Sequence, residues 1–399
     1  MRRLPPLSLY VHMPWCVRKC PYCDFNSHAA GDALPEAEYV AALLADLDRD
    51  LADFPAAGLR EREIVSVFIG GGTPSLISPE GYATLFAGLR GRLRFTDDAE
   101  ITLEANPGTV EQGLFRGYRE VGINRLSIGV QTFQGEQLGV LGRIHSGDEA
   151  RRAADSARAA GFTTFNLDLM HGLPGQTVAQ ALDDLRQAIA LAPTHLSWYQ
   201  LTLEPNTVFY RQQPVLPEDE VLADIQDAGQ ALLAAEGYAQ YEVSAYARSG
   251  HQCRHNLNYW RFGDYLGIGA GAHGKLSAPG RDGAPLVITR TAKTRTPRDY
   301  LAAARAAADG QGDAFRAGAT VIPPDELPFE FMLNVLRLNA GVPASLWRER
   351  TGTDDDVLRL TRERLVRQGL LLPDASRWCA SPLGQRYLNR VIEAFLPDS

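Results

Sequence analysis

Three cysteines lie close together near the start of the chain, Cys16, Cys20 and Cys23, in the order C-x3-C-x2-C. Thiolates at this spacing can share one metal centre, because a single turn brings all three to one side. A structural zinc ion takes four closed ligands. No fourth Cys or His stands at the expected spacing, and only His12 and His28 flank the turn. A 4Fe–4S cluster normally takes four cysteines, so three would leave one iron open to another ligand. The plain alternative is three structural cysteines with no metal. Cys253 and Cys379 bring the total to five, an odd number in a chain with no export signal. That count argues against a disulfide framework and for metal binding or catalysis.

The turn needs a scaffold, and the surrounding segments supply one. Leu7 to Met13 reads as a strand, and the cysteines follow at its end, where parallel α/β folds place active sites. Further strands are predicted at Ile64 to Ile69, Glu100 to Leu103, Arg125 to Ile128, Phe165 to Met170 and Leu196 to Leu201. Helices are predicted over 35–54, 79–90, 109–120, 147–160 and 177–191. Repeated strand–helix units imply parallel strands with right-handed crossovers. Six such units fit an open or partial barrel better than a small doubly wound sheet. The second strand runs into Gly70-Gly71-Gly72-Thr73-Pro74, where missing β-carbons permit close backbone approach.

After residue 205 the rhythm changes to a helix near 218–236, mixed segments, a loop over 277–285 and helical text from Asp325. Residues 349–381 read helix, turn, short strand, as in a small winged-helix-like module. The expected organisation is a core barrel over 1–205, an extension over 206–320 and a C-terminal module over 321–399.

Composition narrows the function classes. The 399 residues are 45% hydrophobic and 22% charged, which excludes a mostly disordered chain or a collagen. No apolar run reaches the roughly 18–20 residues of a membrane span. Arg2 and Arg3 precede no apolar core, so no signal peptide and a cytoplasmic location are expected. With 40 basic against 48 acidic residues, the net charge of −8 makes the chain a poor candidate for a general nucleic-acid binder.

Cys16-x3-Cys20-Pro21-Tyr22-Cys23 resembles the signature of the radical S-adenosylmethionine (SAM) family, in which an aromatic residue precedes the last cysteine. The resemblance implies a partial (β/α)6 barrel holding a 4Fe–4S cluster, with SAM chelating the open iron. It implies that Tyr22 lies against the adenine and that Gly71, Gly72 and Thr73 approach the methionyl end. Tyr10, Glu104, Gln131, Arg143 and Asp168 also match the coproporphyrinogen III dehydrogenase group within that family, where such residues hold SAM, including a second SAM molecule. Asp and Glu suit ribose hydroxyls and an ammonium, and Arg suits a carboxylate. His145 and His171 stand beside two of these positions and could border the pocket.

That group has a decarboxylating branch and a heme-chaperone branch. The decarboxylase carries a further cysteine two residues after the third cluster ligand, where this chain has Phe25, and it has a longer N-terminal arm. His255-Asn256-Leu257-Asn258-Tyr259-Trp260 matches the HNxxYW motif of the chaperone branch. Imidazole is a common axial ligand of heme iron, so His255 is the expected heme-binding residue. Tyr259 and Trp260 would offer flat contact to a macrocycle, and Cys253 a second, softer ligand. The resemblance implies heme as cargo, recipient respiratory heme proteins, many of them at the membrane, and a homodimer. The alternative is the oxygen-independent dehydrogenase itself.

Overall fold

In the computed structural model, which describes residues 3–31, 33–308 and 315–397, the first strand forms where the sequence predicts it: β1 is Leu7–Met13. Five strands follow, β2 (Glu63–Gly71), β3 (Arg94–Ala105), β4 (Arg125–Gln131), β5 (Phe165–His171) and β6 (His195–Gln200). Each lies parallel to the one before it. Their outer faces are apolar and buried, for example Val67, Leu103, Leu126, Ile128, Leu167 and Leu196. Side chains covered by helices need to be so.

Those helices are α1 (Glu36–Asp53), α2 (Pro79–Arg90), α3 (Thr109–Glu120), α4 (Gly135–Val140), α5 (Gly147–Ala159) and α6 (Val178–Ala190). Their starts are written in the sequence. Ser78 caps α2, while Ser146 with Glu149 and Thr177 with Gln180 form reciprocal capping boxes on α5 and α6. After β6 come α7 (Val208–Gln212) and α8 (Asp219–Ala235), then two short antiparallel strands, β7 (Ala239–Gln240) and β8 (Ala245–Ala247).

The sheet also grows on the other side of β1. Beyond α9 (Arg254–Trp260), strand β9 (Asp264–Ile268) pairs parallel with β1. Strands β10 (His273–Ala278), β11 (Val287–Lys293) and β12 (Arg316–Val321) continue it antiparallel. Among the described residues the order is β12-β11-β10-β9-β1-β2-β3-β4-β5-β6-β8-β7. Ser277 and Ala278, expected in a loop, therefore end a strand. Polar residues disguise it: Lys275 and Ser277 point at the buried Asp264 carboxylate, which also pairs with Arg62.

The remaining helices are α10 (Pro297–Ala308), α11 (Leu327–Val335), α12 (Leu346–Thr351), α13 (Asp356–Arg367), α14 (Pro382–Arg386) and α15 (Leu388–Glu393). A two-stranded pair of Val342–Pro343 with Arg377–Trp378 completes the winged-helix-like module. Its core, around Phe331, Trp347, Trp378 and Phe395, also takes in Phe262, Leu286 and Ile288 from the preceding segment. The barrel has its own apolar core under α1, α2, α3, α5, α6, α8 and α10. No helix of the described residues is long and apolar enough to cross a membrane.

Candidate functional site

A cavity of ≈ 630 Å³ opens at the carboxyl ends of β1 to β6. Cys16, Cys20, Cys23, Tyr22, Gly71, Gly72, Thr73, Glu104, Gln131, Arg143 and Asp168 all line it. Parallel barrels gather sites at this end because every strand delivers its following loop there.

The cysteine loop is tied down on all sides. Residues Trp15–Cys16 bridge to His28–Ala29, and the Cys23 amide donates to the Cys20 carbonyl at 3.2 Å. The Asn26 carbonyl meets His12 Nε2 at 2.8 Å, and Asn26 Nδ2 donates to the carbonyls of Ala270 (2.9 Å) and Arg295 (2.8 Å). All three cysteines are free thiols, and burial pushes Cys16 and Cys23 up. Among the described residues no three His, Cys, Asp or Glu side chains converge as the ligands of a single metal ion do. Three thiols on one turn, with no fourth, fit one open-cornered 4Fe–4S cluster.

The glycine segment has a local reason besides any ligand. Gly71 sits at φ +116°, and a β-carbon there would strike the His12 ring at 2.6 Å. One on Gly72 would lie 2.4 Å from the Trp15 carbonyl oxygen. Gly72 and Thr73 amides instead donate to the Met13 and Trp15 carbonyls, at 2.7 and 2.6 Å. The glycines thus let the end of β2 press against the base of the cysteine loop.

Acids and one cation form the far wall. Glu104 accepts from the Gly71 amide at 3.1 Å, and burial, then Asp168, push its carboxyl up to about 8. Asp168 takes Ser127 Oγ at 2.9 Å and Asn166 Nδ2 at 2.8 Å. Arg143 donates to Asn106 Oδ1 (2.8 Å) and the Gly129 carbonyl (2.7 Å), and reaches Cys20 Sγ at 3.7 Å. Its guanidinium therefore lies beside the cysteine loop. Gln131 adopts φ +69°, rare for a residue with a side chain, and accepts from Tyr199 Oη at 2.7 Å. His145 lines the cavity with a 3.0 Å contact to the Val130 carbonyl, whereas His171 is buried against Trp198.

Sequence reasoning missed Asn106, Ser127 and Tyr199, which line the same cavity. A signal was present. On β4 the residues Arg125, Ser127, Gly129 and Gln131 alternate with Leu126, Ile128 and Val130, which marks an inner polar face.

Tyr10 and His255 do not line this cavity. Tyr10 lies inside the barrel with its hydroxyl 3.0 Å from His12 Nδ1. His255 is at the opposite end. Helix α9 closes the barrel floor: the amides of Arg254 and His255 donate to Glu100 Oε1 at 2.9 and 3.3 Å, and Asn258 Nδ2 donates to Ser8 Oγ at 2.8 Å. The His255 ring stands 5.1 Å from that of Phe68 and 6.5 Å from that of Tyr10, with Nδ1 3.4 Å from Ser66 Oγ. Burial, then Arg125, hold it down at about 3, so it is a neutral imidazole.

The motif aromatics turn elsewhere, contrary to expectation. Tyr259 packs on Tyr265, and Trp260 lies under the Arg337 guanidinium against the C-terminal core. Cys253 hydrogen-bonds Glu100 and Asn256, and burial pushes its thiol up to about 12.

Comparison with known proteins agrees with this architecture. The Radical SAM superfamily profile matches residues 10–188, and that of the HemN C-terminal domain matches residues 322–387. The heme chaperone HemW of Escherichia coli is 52% identical over 398 residues, all of both chains. That of Haemophilus influenzae is 48% identical over the same length. The mouse mitochondrial radical S-adenosyl methionine domain-containing protein 1 is 35% identical, over 98% of this chain and 87% of its own. Among solved structures, Escherichia coli coproporphyrinogen III oxidase (HemN) superposes with a TM-score of 0.79 at 24% identity, covering 98% of this chain and 90% of that one. This last likeness concerns the fold.

Proposed function

The chain belongs to the HemW family of radical SAM proteins, and from that membership we propose a heme chaperone that holds a 4Fe–4S cluster and SAM and hands heme to respiratory heme proteins. The observation that carries the cofactor half is the single cavity shared by three thiols, an acid pair and a cation at the strand ends. Cys16, Cys20 and Cys23 would hold the cluster. Glu104 and Asp168 would face the ammonium and ribose of SAM, with Arg143 on its carboxylate and Gln131 beside it. Tyr22 would cover the adenine, and Gly71, Gly72 and Thr73 would border the methionyl end. Tyr10 would act from below, through His12. A cluster held by these thiols would supply one-electron reduction chemistry beside the SAM site.

His255 is the proposed heme ligand. Its neutral ring supports this, since a metal takes the unprotonated nitrogen. The reading extends to a cytoplasmic homodimer that meets recipients at the membrane surface, and to the division at 1–205, 206–320 and 321–399.

The test is an anaerobic reconstitution followed by heme titration, read at the Soret band, with a His255→Ala variant in parallel. Saturable binding that weakens in the variant is expected. No specific binding would overturn the chaperone reading and return attention to coproporphyrinogen III decarboxylation. That alternative is not favoured. Its further cysteine is replaced by Phe25, which is 62% exposed at the cavity rim.

A further inference from the structure

Arg125 opens β4 on the inner face of the barrel and is only 2% exposed. A buried guanidinium ordinarily meets a carboxylate or several carbonyls, because a desolvated lone charge is costly. Here Nε has no hydrogen-bond partner, and no ion pair holds the group among the described residues. The charges of Glu100 and Asp168 act on it only at longer range, and both carboxylates are engaged: Glu100 by the amides of α9, Asp168 by Ser127 and Asn166. Beside it in the β3–β4 register stands Thr102, whose Oγ1 is buried and also without a partner. Thr102 is level with Phe68, and Phe68 with Tyr10. The His255 ring meets those two aromatics from below.

One layer of the barrel therefore presents an imidazole, two aromatic faces, a hydroxyl and an unpaired guanidinium. We propose that Arg125 and Thr102 form a carboxylate site in the barrel floor that receives a propionate of the tetrapyrrole whose iron His255 takes. The assignment rests on the reading of His255 as the heme ligand. The three chemistries match the three parts of an iron porphyrin: metal, macrocycle and acid side chain. Removing an interaction of this kind, a charge-assisted hydrogen bond, costs about 10- to 100-fold in affinity. Receiving the macrocycle requires α9 to part from β2, since the rings of His255 and Phe68 are in contact.

The experiment compares heme with heme dimethyl ester, whose propionates carry no charge, by Soret titration of the reconstituted full chain. The wild type should bind heme about 10- to 100-fold more tightly than the ester. The gap should close in Arg125→Met and survive in part in Arg125→Lys, with the Soret position unchanged in both. Met leaves no buried partner orphaned, so its thermal midpoint should equal or exceed that of the wild type. Equal affinities in the wild type, or a gap that survives Arg125→Met, would overturn the carboxylate site while leaving the His255 reading intact. A Soret band and affinity unchanged in His255→Ala would instead remove the ligand assignment, and the site with it.

Discussion

The two ends of the barrel solve different problems with the same six strands. At the carboxyl ends, loops converge on an open cavity, and three polar groups of its wall have protein partners: Arg143 on Asn106, Gln131 on Tyr199, Glu104 on Gly71. At the amino ends, α9 seals the floor, yet Arg125 and Thr102 lack partners. Groups held this way at the upper end would suit a cofactor with a fixed position. The lower end keeps unsatisfied groups behind a short helix, an arrangement suited to cargo that comes and goes. Closure of the floor and openness of the rim are thus separate properties, and they separate under mutation.

Loss of one cluster cysteine gives the largest effect. In Cys20→Ala, iron should fall from about four atoms per chain to nearly none, because two thiolates cannot retain the cluster. Heme affinity should stay within about threefold if the ends are independent, and a parallel collapse would break the distinction. Iron analysis and Soret titration on one preparation decide it.

Next in size is the floor itself. Glu100→Ala strips the α9 amides and the Cys253 thiol of their common acceptor. Stability should drop by about 1–3 kcal/mol in urea denaturation, the cost of orphaned donors to a charged acceptor. Iron and SAM binding should be retained.

At the rim, Arg143→Met should weaken SAM about tenfold by equilibrium dialysis while leaving iron content unchanged, since Met removes one charge-assisted contact. Loss of iron instead would make Arg143 a cluster-retaining residue through its contact with Cys20.

The smallest effect is an expected constancy. An exposed imidazole loses metal affinity below its ordinary pKa of about 6.5, because the proton competes. His255 is held near 3, so it stays neutral as the pH falls from 7.5 to 5.5, and heme affinity should be flat. A steep decline below pH 6.5 would mean that the ring meets iron in water, outside the floor described here.

The cofactor end was readable in the sequence because its signals are local. Cys16, Cys20 and Cys23 share one turn, Gly71 and Gly72 end a strand, and the parallel strands are apolar runs between capped helices. The floor was not. His255 and Arg125 are far apart in the chain, and only the closing of the sheet makes them neighbours. Strands β9 to β12 escaped because buried Lys275, Ser277 and Asp264 satisfy one another, so the polar pattern that denotes a loop here lines a strand pair. Trp260 misled for the opposite reason: an aromatic of the histidine motif was expected to face cargo, but the helix turns it toward the C-terminal core.

The pairing of β1 with β9 bears on biosynthesis. One flank of the strand that leads into the cysteine loop is completed only by Asp264–Ile268, and Asn26 in the loop gains its last tie at Arg295. At about 5–20 residues per second, the ribosome needs on the order of 10–50 s to travel from the first strand to the one that flanks it. Through that interval the nascent chain displays all three thiols beside an open sheet edge. A metal centre that needs the finished frame would therefore be loaded only after residue 295 is made, and a fragment ending at residue 205 would carry all three cysteines of the loop but lack the frame that holds them in place.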